Sequence, residues 1–103
     1  MARLFALIGY DGPDRAERRK QVRPAHLARL QDLDAARGIV HGGPLLDDAG
    51  NPIGSLILFE AADLAAAQAR AASDPYVTEG VFATYRVIET RAVFGEHAQE
   101  PAR

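Results

Sequence analysis

Two short segments of this chain are apolar at every consecutive position, and they limit its possible folds more than any other feature. Leu4-Phe5-Ala6-Leu7-Ile8 is closed by Gly9 and the turn-rich Asp11-Gly12-Pro13-Asp14. Leu56-Ile57-Leu58-Phe59 lies within the segment Ile53 to Glu60, after the turn formers Asp47-Asp48-Ala49-Gly50-Asn51-Pro52. Runs of this length read as strands. Successive side chains of a strand point to opposite faces of its sheet, so both faces are apolar here. A sheet built on two such strands needs cover on both sides.

The intervening segments supply helices and two further strands. A charged segment runs from Arg15 to Gln21, and a helical pattern then extends to about Arg37, with Val22, Leu30 and Leu33 on one side of the wheel and His26 among them. Pro24 predicts a kink or restart, with the proline in a first helical turn. Gly38 is placed to end this helix. Ile39-Val40-His41 reads as a short strand stopped at Gly42-Gly43-Pro44, with Leu45-Leu46 a possible extension. Asp63 predicts the N-cap of an alanine-rich helix over Leu64 to Ala72, which ends before Pro75. The last strand is expected over Val81 to Phe94, with Val81, Ala83, Tyr85, Val87 and Val93 on one face. Residues 1–94 thus form one domain, and the polar residues 95–103 are expected to fray.

The order βαββαβ predicts an α+β fold: a four-stranded antiparallel sheet with both helices on one face, the ferredoxin-like arrangement. The other face would be open, yet the central strands are apolar there too. A second copy packed sheet to sheet is the simplest cover, so a homodimer is expected.

Composition removes several function classes. A net charge of −2 and a pI of about 5.9 give no electrostatic case for nucleic acid or an anionic membrane. Without cysteine there are no disulfides, thiolate nucleophiles or cysteine-bound metals. The apolar stretch at the start is too short for a signal-peptide core, and no segment approaches the roughly 20 apolar residues of a membrane helix. A cytoplasmic protein is the expectation. No phosphate loop, serine elbow or metal-ligand spacing is present, so no cofactor and no metal are expected.

The chemistry narrows to a few side chains. His97 lies in the polar tail, and His41 ends a strand beside two glycines. His26 is set on an apolar helix face, where an imidazole is either a hydrogen-bonded core residue or a general acid/base near neutral pH. Asp74-Pro75 has the form of an N-cap followed by a proline at the first helical position. Such a carboxylate needs no catalytic role, and it is equally suited to orient a histidine. Arg15, Arg18, Arg19, Lys20 and Arg23 form a basic run, diluted by Asp14 and Glu17. It is a solvated helix face or an attractor of an anionic substrate.

Three short motifs, in order and on the expected elements, resemble the YciI-like family. They are Arg23-Pro24-Ala25-His26-Leu27 with Leu30 beyond it, Gly42-Gly43-Pro44-Leu45 after a short strand, and Asp74-Pro75-Tyr76 after the alanine-rich helix. The resemblance extends from Leu4 to about Phe94. It implies a ferredoxin-like fold that dimerises into an α/β barrel, and a His–Asp acid/base pair that here falls on His26 and Asp74. Related dimeric barrels include isomerases, lyases and cofactor-free oxygenases acting on small cyclic or aromatic compounds. His41 departs from the family pattern, which more usually has a small or hydroxyl residue there. Around the pair, Arg23, His41, Gly43, Ser55 and Tyr76 are the candidates to bind substrate. The expected function is elimination or isomerisation of a small cyclic or aromatic compound. The alternative is a non-catalytic dimeric module that binds a metabolite or a protein.

Overall fold

A computed structural model describes residues 3–35, 38–95 and 98. In chain order its elements are β1 (Arg3–Asp11), α1 (Ala16–Ala35), β2 (Ile39–Leu46), β3 (Pro52–Ala61), α2 (Leu64–Ala72), α3 (Pro75–Thr78) and β4 (Phe82–Thr90). The sheet runs β2-β3-β1-β4, and every neighbouring pair is antiparallel. This is the α+β, ferredoxin-like order read from the sequence.

The two apolar runs are adjacent central strands, with Phe5 opposite Phe59, Leu7 opposite Ile57 and Gly9 opposite Ser55. These residues face the helices. Phe5, Leu7, Ile57 and Phe59 form a continuous core with Val22 of α1, Ala67 and Ala71 of α2, and Tyr76 of α3. The alternate positions pair Leu4 with Glu60, Ala6 with Leu58 and Ile8 with Leu56 on the other face. Alanines on the buried side of α2 let that helix lie close to the sheet. Asp63 caps it by accepting a hydrogen bond from Ala66 N at 2.8 Å, as its sequence position predicts.

Three elements differ from expectation. α1 runs unbroken through Pro24 and starts at Ala16. A proline in a helix interior costs about 3 kcal/mol, largely through the lost N–H and ring crowding. Here Pro24 and Lys20, whose carbonyl loses its partner, are both exposed, so water can satisfy that oxygen. The buried face of Val22, His26 and Leu30 continues across the proline and holds one helix together.

β2 does not stop at Gly42-Gly43-Pro44 but continues to Leu46, with Pro44 opposite Ser55. It is an edge strand, the place where a proline without a ladder donor is tolerated. β4 is shorter than expected, because its pairing with β1 ends at Leu4 opposite Thr90. The expected frayed tail falls mostly outside the described residues, as does His97. No helix among the described residues is long and apolar enough to cross a membrane.

Candidate active site

The buried side of α1 is where polar chemistry enters the core. Arg19, Val22 and His26 are buried and Leu30 is half-buried, at spacings of three, four and four residues. Two of those four side chains are polar, so each needs a partner.

The partner of His26 comes from the connection between α2 and α3. Asp74 is extended, Pro75 opens α3, and an Asp74 side-chain oxygen accepts from Tyr76 N at 2.8 Å. The cap fixes the carboxylate with Oδ1 2.9 Å from His26 Nδ1. The two side chains are 7% and 6% exposed, which makes this a desolvated pair. A carboxylate oxygen that already accepts the Tyr76 N–H can accept again from an imidazole N–H, an arrangement that in the neutral ring places the proton on Nδ1 and the lone pair on Nε2. Nε2 has no hydrogen-bond partner among the described residues, and His26 lines a cavity.

Tyr76 supports the imidazole from one side. Its ring lies 3.9 Å from that of His26 at an interplanar angle of 16°. The guanidinium carbon of Arg19 sits 4.5 Å from the same tyrosine ring. Arg19 and His26 are seven residues apart, about 10.5 Å along the helix axis. That gap admits one aromatic ring, and Tyr76 is wedged into it.

Arg19 is itself held firmly. Nη1 contacts Asp11 Oδ1 and Oδ2 at 2.8 and 3.1 Å, while Nη2 donates to Gly54 O at 2.8 Å and Ser55 Oγ at 2.5 Å. Burial holds the Asp11 carboxyl above the ordinary carboxylate range, and Arg19 only partly opposes that rise. Burial also raises the Tyr76 phenol, with Arg19 and Arg23 pulling it back. Gly54 is required where it stands: a Cβ there would lie 2.2 Å from Gly9 O on β1.

Between α1, β2 and the start of β3 lies a cavity of about 640 Å³, within the roughly 300–1,000 Å³ usual for small-molecule sites. Arg23, Gly43, Ser55, Tyr76 and His26 line it, and Asp74 stands behind His26. His41 is not brought to it. Its position pairs with Leu58, whose side chain points to the helix-free face, and the imidazole is exposed. As a cavity residue His41 is therefore corrected, since strand alternation sends it away from the helices.

The basic run divides, and neither reading of it as a unit holds. Arg15, just before α1, donates to Gly80 O at 3.1 Å and Arg18 pairs with Glu79 at 2.7 Å, both tying the start of α1 to the residues that follow α3. Arg19 turns inward as a buried part of the cavity wall, whereas Lys20 and Arg23 stand exposed at the cavity. Sequence reasoning missed Arg19 and Asp11. The available signal was periodicity, because Arg19 is two turns before His26 and three residues before Val22 on the same helix face. Among the described residues no group of three or more His, Asp or Glu is arranged to hold a metal.

A ferredoxin-like sheet carrying a buried histidine–carboxylate pair beside a helix–sheet cavity defines a class of small α+β domains. The chain belongs to the YCII-related domain family, whose model matches residues 3–91. It is 39% identical over 97 residues to Protein YciI of Escherichia coli, covering 88% of this chain and 99% of that protein. It is 37% identical to an uncharacterized protein of Haemophilus influenzae, covering 87% and 98%.

Among solved structures it is similar to the 5-chloro-2-hydroxyhydroquinone dehydrochlorinase TftG of Burkholderia phenoliruptrix, in complex with 2,5-dihydroxybenzoquinone. That match has a TM-score of 0.75 and 31% identity, covering 93% of this chain and 99% of the other. PA3566 of Pseudomonas aeruginosa shares the fold at a TM-score of 0.53 and 12% identity, covering 86% and 91%.

Proposed function

We propose that this protein is an enzyme that carries out an elimination or isomerisation on a small cyclic or aromatic compound bound in the α1–β2 cavity. His26 moves the proton and Asp74 orients it. The observation that carries this reading is the buried 2.9 Å contact between His26 Nδ1 and Asp74 Oδ1, which leaves Nε2 as the free base of a cavity-lining histidine.

In an elimination, Nε2 takes a proton from a ring C–H or O–H. The electrons of that bond form the new double bond, and the leaving group departs from the ring with its own electron pair. In an isomerisation the same proton is returned to another ring atom. Either way the imidazolium formed is balanced by Asp74 and rests on the face of Tyr76, a favourable place for a cation. TftG, named a dehydrochlorinase and bound to a dihydroxybenzoquinone, supports an oxygenated six-membered ring as the substrate class. Leu27, Leu30, Pro44 and Pro52 offer apolar surface for such a ring.

A homodimer is part of this reading. The helix-free face carries the half-buried Ile8, Leu56 and Leu58 and the exposed Ile88, and two-fold packing of that face would cover them.

The test is a panel of halogenated hydroxyhydroquinones and hydroxybenzoquinones, followed by absorbance, halide release and mass of the product. Turnover is expected to fall about 10²–10⁴-fold in His26→Ala, with the circular dichroism spectrum kept. Undiminished turnover in that variant would rule out the mechanism. The Tyr76 N–H bond to Asp74 also fits a second reading, in which the aspartate is only a cap. On that reading Asp74→Ala costs about 1 kcal/mol of stability, and ligand affinity is unchanged.

A further inference from the structure

Among the described residues the cavity lining contains three cationic side chains, Arg19, Lys20 and Arg23, and no carboxylate. The two carboxylates behind the wall are already engaged, Asp11 with Arg19 and Asp74 with His26. Arg19 is thereby neutralised as a pair. Lys20 and Arg23 are exposed at the cavity and make no hydrogen bond or ion pair among the described residues. Deeper in the wall, Ser55 is 2% exposed, and its Oγ accepts from Arg19 Nη2. A hydroxyl that accepts in this way keeps its own hydrogen to donate, and no acceptor for it is present among the described residues.

We propose that the cavity selects the ionised form of an acidic ring compound, an enolate or phenolate oxygen on a six-membered ring. Lys20 and Arg23 are its counter-charges, and the Ser55 hydroxyl donates a hydrogen bond to one of its oxygens. This rests on the ring-substrate reading above and names the charge state that reading leaves open. The two surplus positive charges face a wall with no competing anion, which favours encounter with an anion and discriminates against a neutral analogue. Lys20 and Arg23 are specificity-determining residues here, and the proton transfer remains with His26.

The test uses two probes of the same ring, 2,5-dihydroxybenzoquinone, which ionises readily, and neutral 2,5-dimethoxybenzoquinone. Dissociation constants are measured by calorimetry for the wild type, Lys20→Gln/Arg23→Gln and His26→Ala. The hydroxylated probe is expected to bind about tenfold more tightly, a preference that two partly exposed charges can supply. The double variant should lose that preference, and His26→Ala should keep it. Raising ionic strength from about 10 mM to about 150 mM shortens the screening length from about 30 Å to about 8 Å. Over that range wild-type affinity for the hydroxylated probe should fall, and that of the double variant should hold steady.

Equal binding of the two probes, or a preference that survives in the double variant, overturns the charge selection and leaves the ring-substrate reading standing. Failure of both probes to bind the wild type overturns the ring-substrate reading, and the charge selection falls with it.

Discussion

Removing the Asp11 carboxylate should be among the most damaging single substitutions in the chain. The Asp11 and Arg19 side chains are 8% and 9% exposed and meet at 2.8 Å. Breaking such a pair from one side leaves the other charge buried and uncompensated, typically at about 3–5 kcal/mol. The lower end applies, because Arg19 keeps Gly54 O, Ser55 Oγ and the face of Tyr76. Asp11→Ala is therefore expected to cost about 3 kcal/mol, or roughly 12–24 °C in Tm for a domain of this size.

Removing both charges together, in Asp11→Ala/Arg19→Met, should recover at least half of that loss, because the pair carries a desolvation penalty of its own. The upward pull of burial on the Asp11 carboxyl is the same penalty seen from the titration side. Urea midpoints at one fixed protein concentration measure both variants, with unchanged slopes confirming that stability alone has moved. A loss below about 0.5 kcal/mol for Asp11→Ala would refute the reasoning. So would a double variant no better than the single one.

Three further substitutions probe separate parts of the structure. Gly54→Ala forces a Cβ to within 2.2 Å of the Gly9 carbonyl, and should cost about 3 kcal/mol, near the top of the range for overpacking, as read by thermal unfolding. Asp63→Ala removes the acceptor of Ala66 N and should lower stability by about 1 kcal/mol without touching ligand affinity. Asp47 accepts from Asn51 N and Ala49 N at 2.9 Å each, and these bonds hold its carboxyl below the ordinary 3.8. A depressed folded pKa means a stabilisation present above 3.8 and lost as pH falls through the folded value. Asp47→Asn should therefore flatten the acid limb of a stability–pH curve and leave the neutral region nearly parallel.

The sheet was legible because its signal is local. Two apolar runs bounded by turn formers place β1 and β3, and Asp63 and Asp74-Pro75 mark helix starts by cap chemistry that depends only on neighbouring residues. Pro24 and Pro44 misled for a common reason. Each breaks a rule for interior positions, and each lies on a surface, one on the exposed side of α1 and the other on an edge strand.

His26 and Asp74 could be singled out individually, but nothing in a 48-residue separation says that they meet. Their approach depends on α3 packing against α1. Arg19 was hidden by its company. Among the five cations from Arg15 to Arg23 it looked solvated, and the partners that permit its burial, Asp11 at the end of β1, Gly54 O and Ser55 Oγ on β3, are distant in sequence. His41 reads in sequence as a strand-end histidine that could either line a pocket or stand exposed, and strand alternation turns it to the face away from the helices.

The central claim is that Asp74 holds His26 with Nδ1–H toward the carboxylate and Nε2 bare toward the cavity. Long-range ¹H–¹⁵N NMR of the neutral imidazole reads this directly. A protonated Nδ1 and an unprotonated Nε2 are expected in the wild type, with the preference lost in Asp74→Ala. A wild-type spectrum showing Nε2 protonated and Nδ1 bare, or one that Asp74→Ala leaves unchanged, would contradict it.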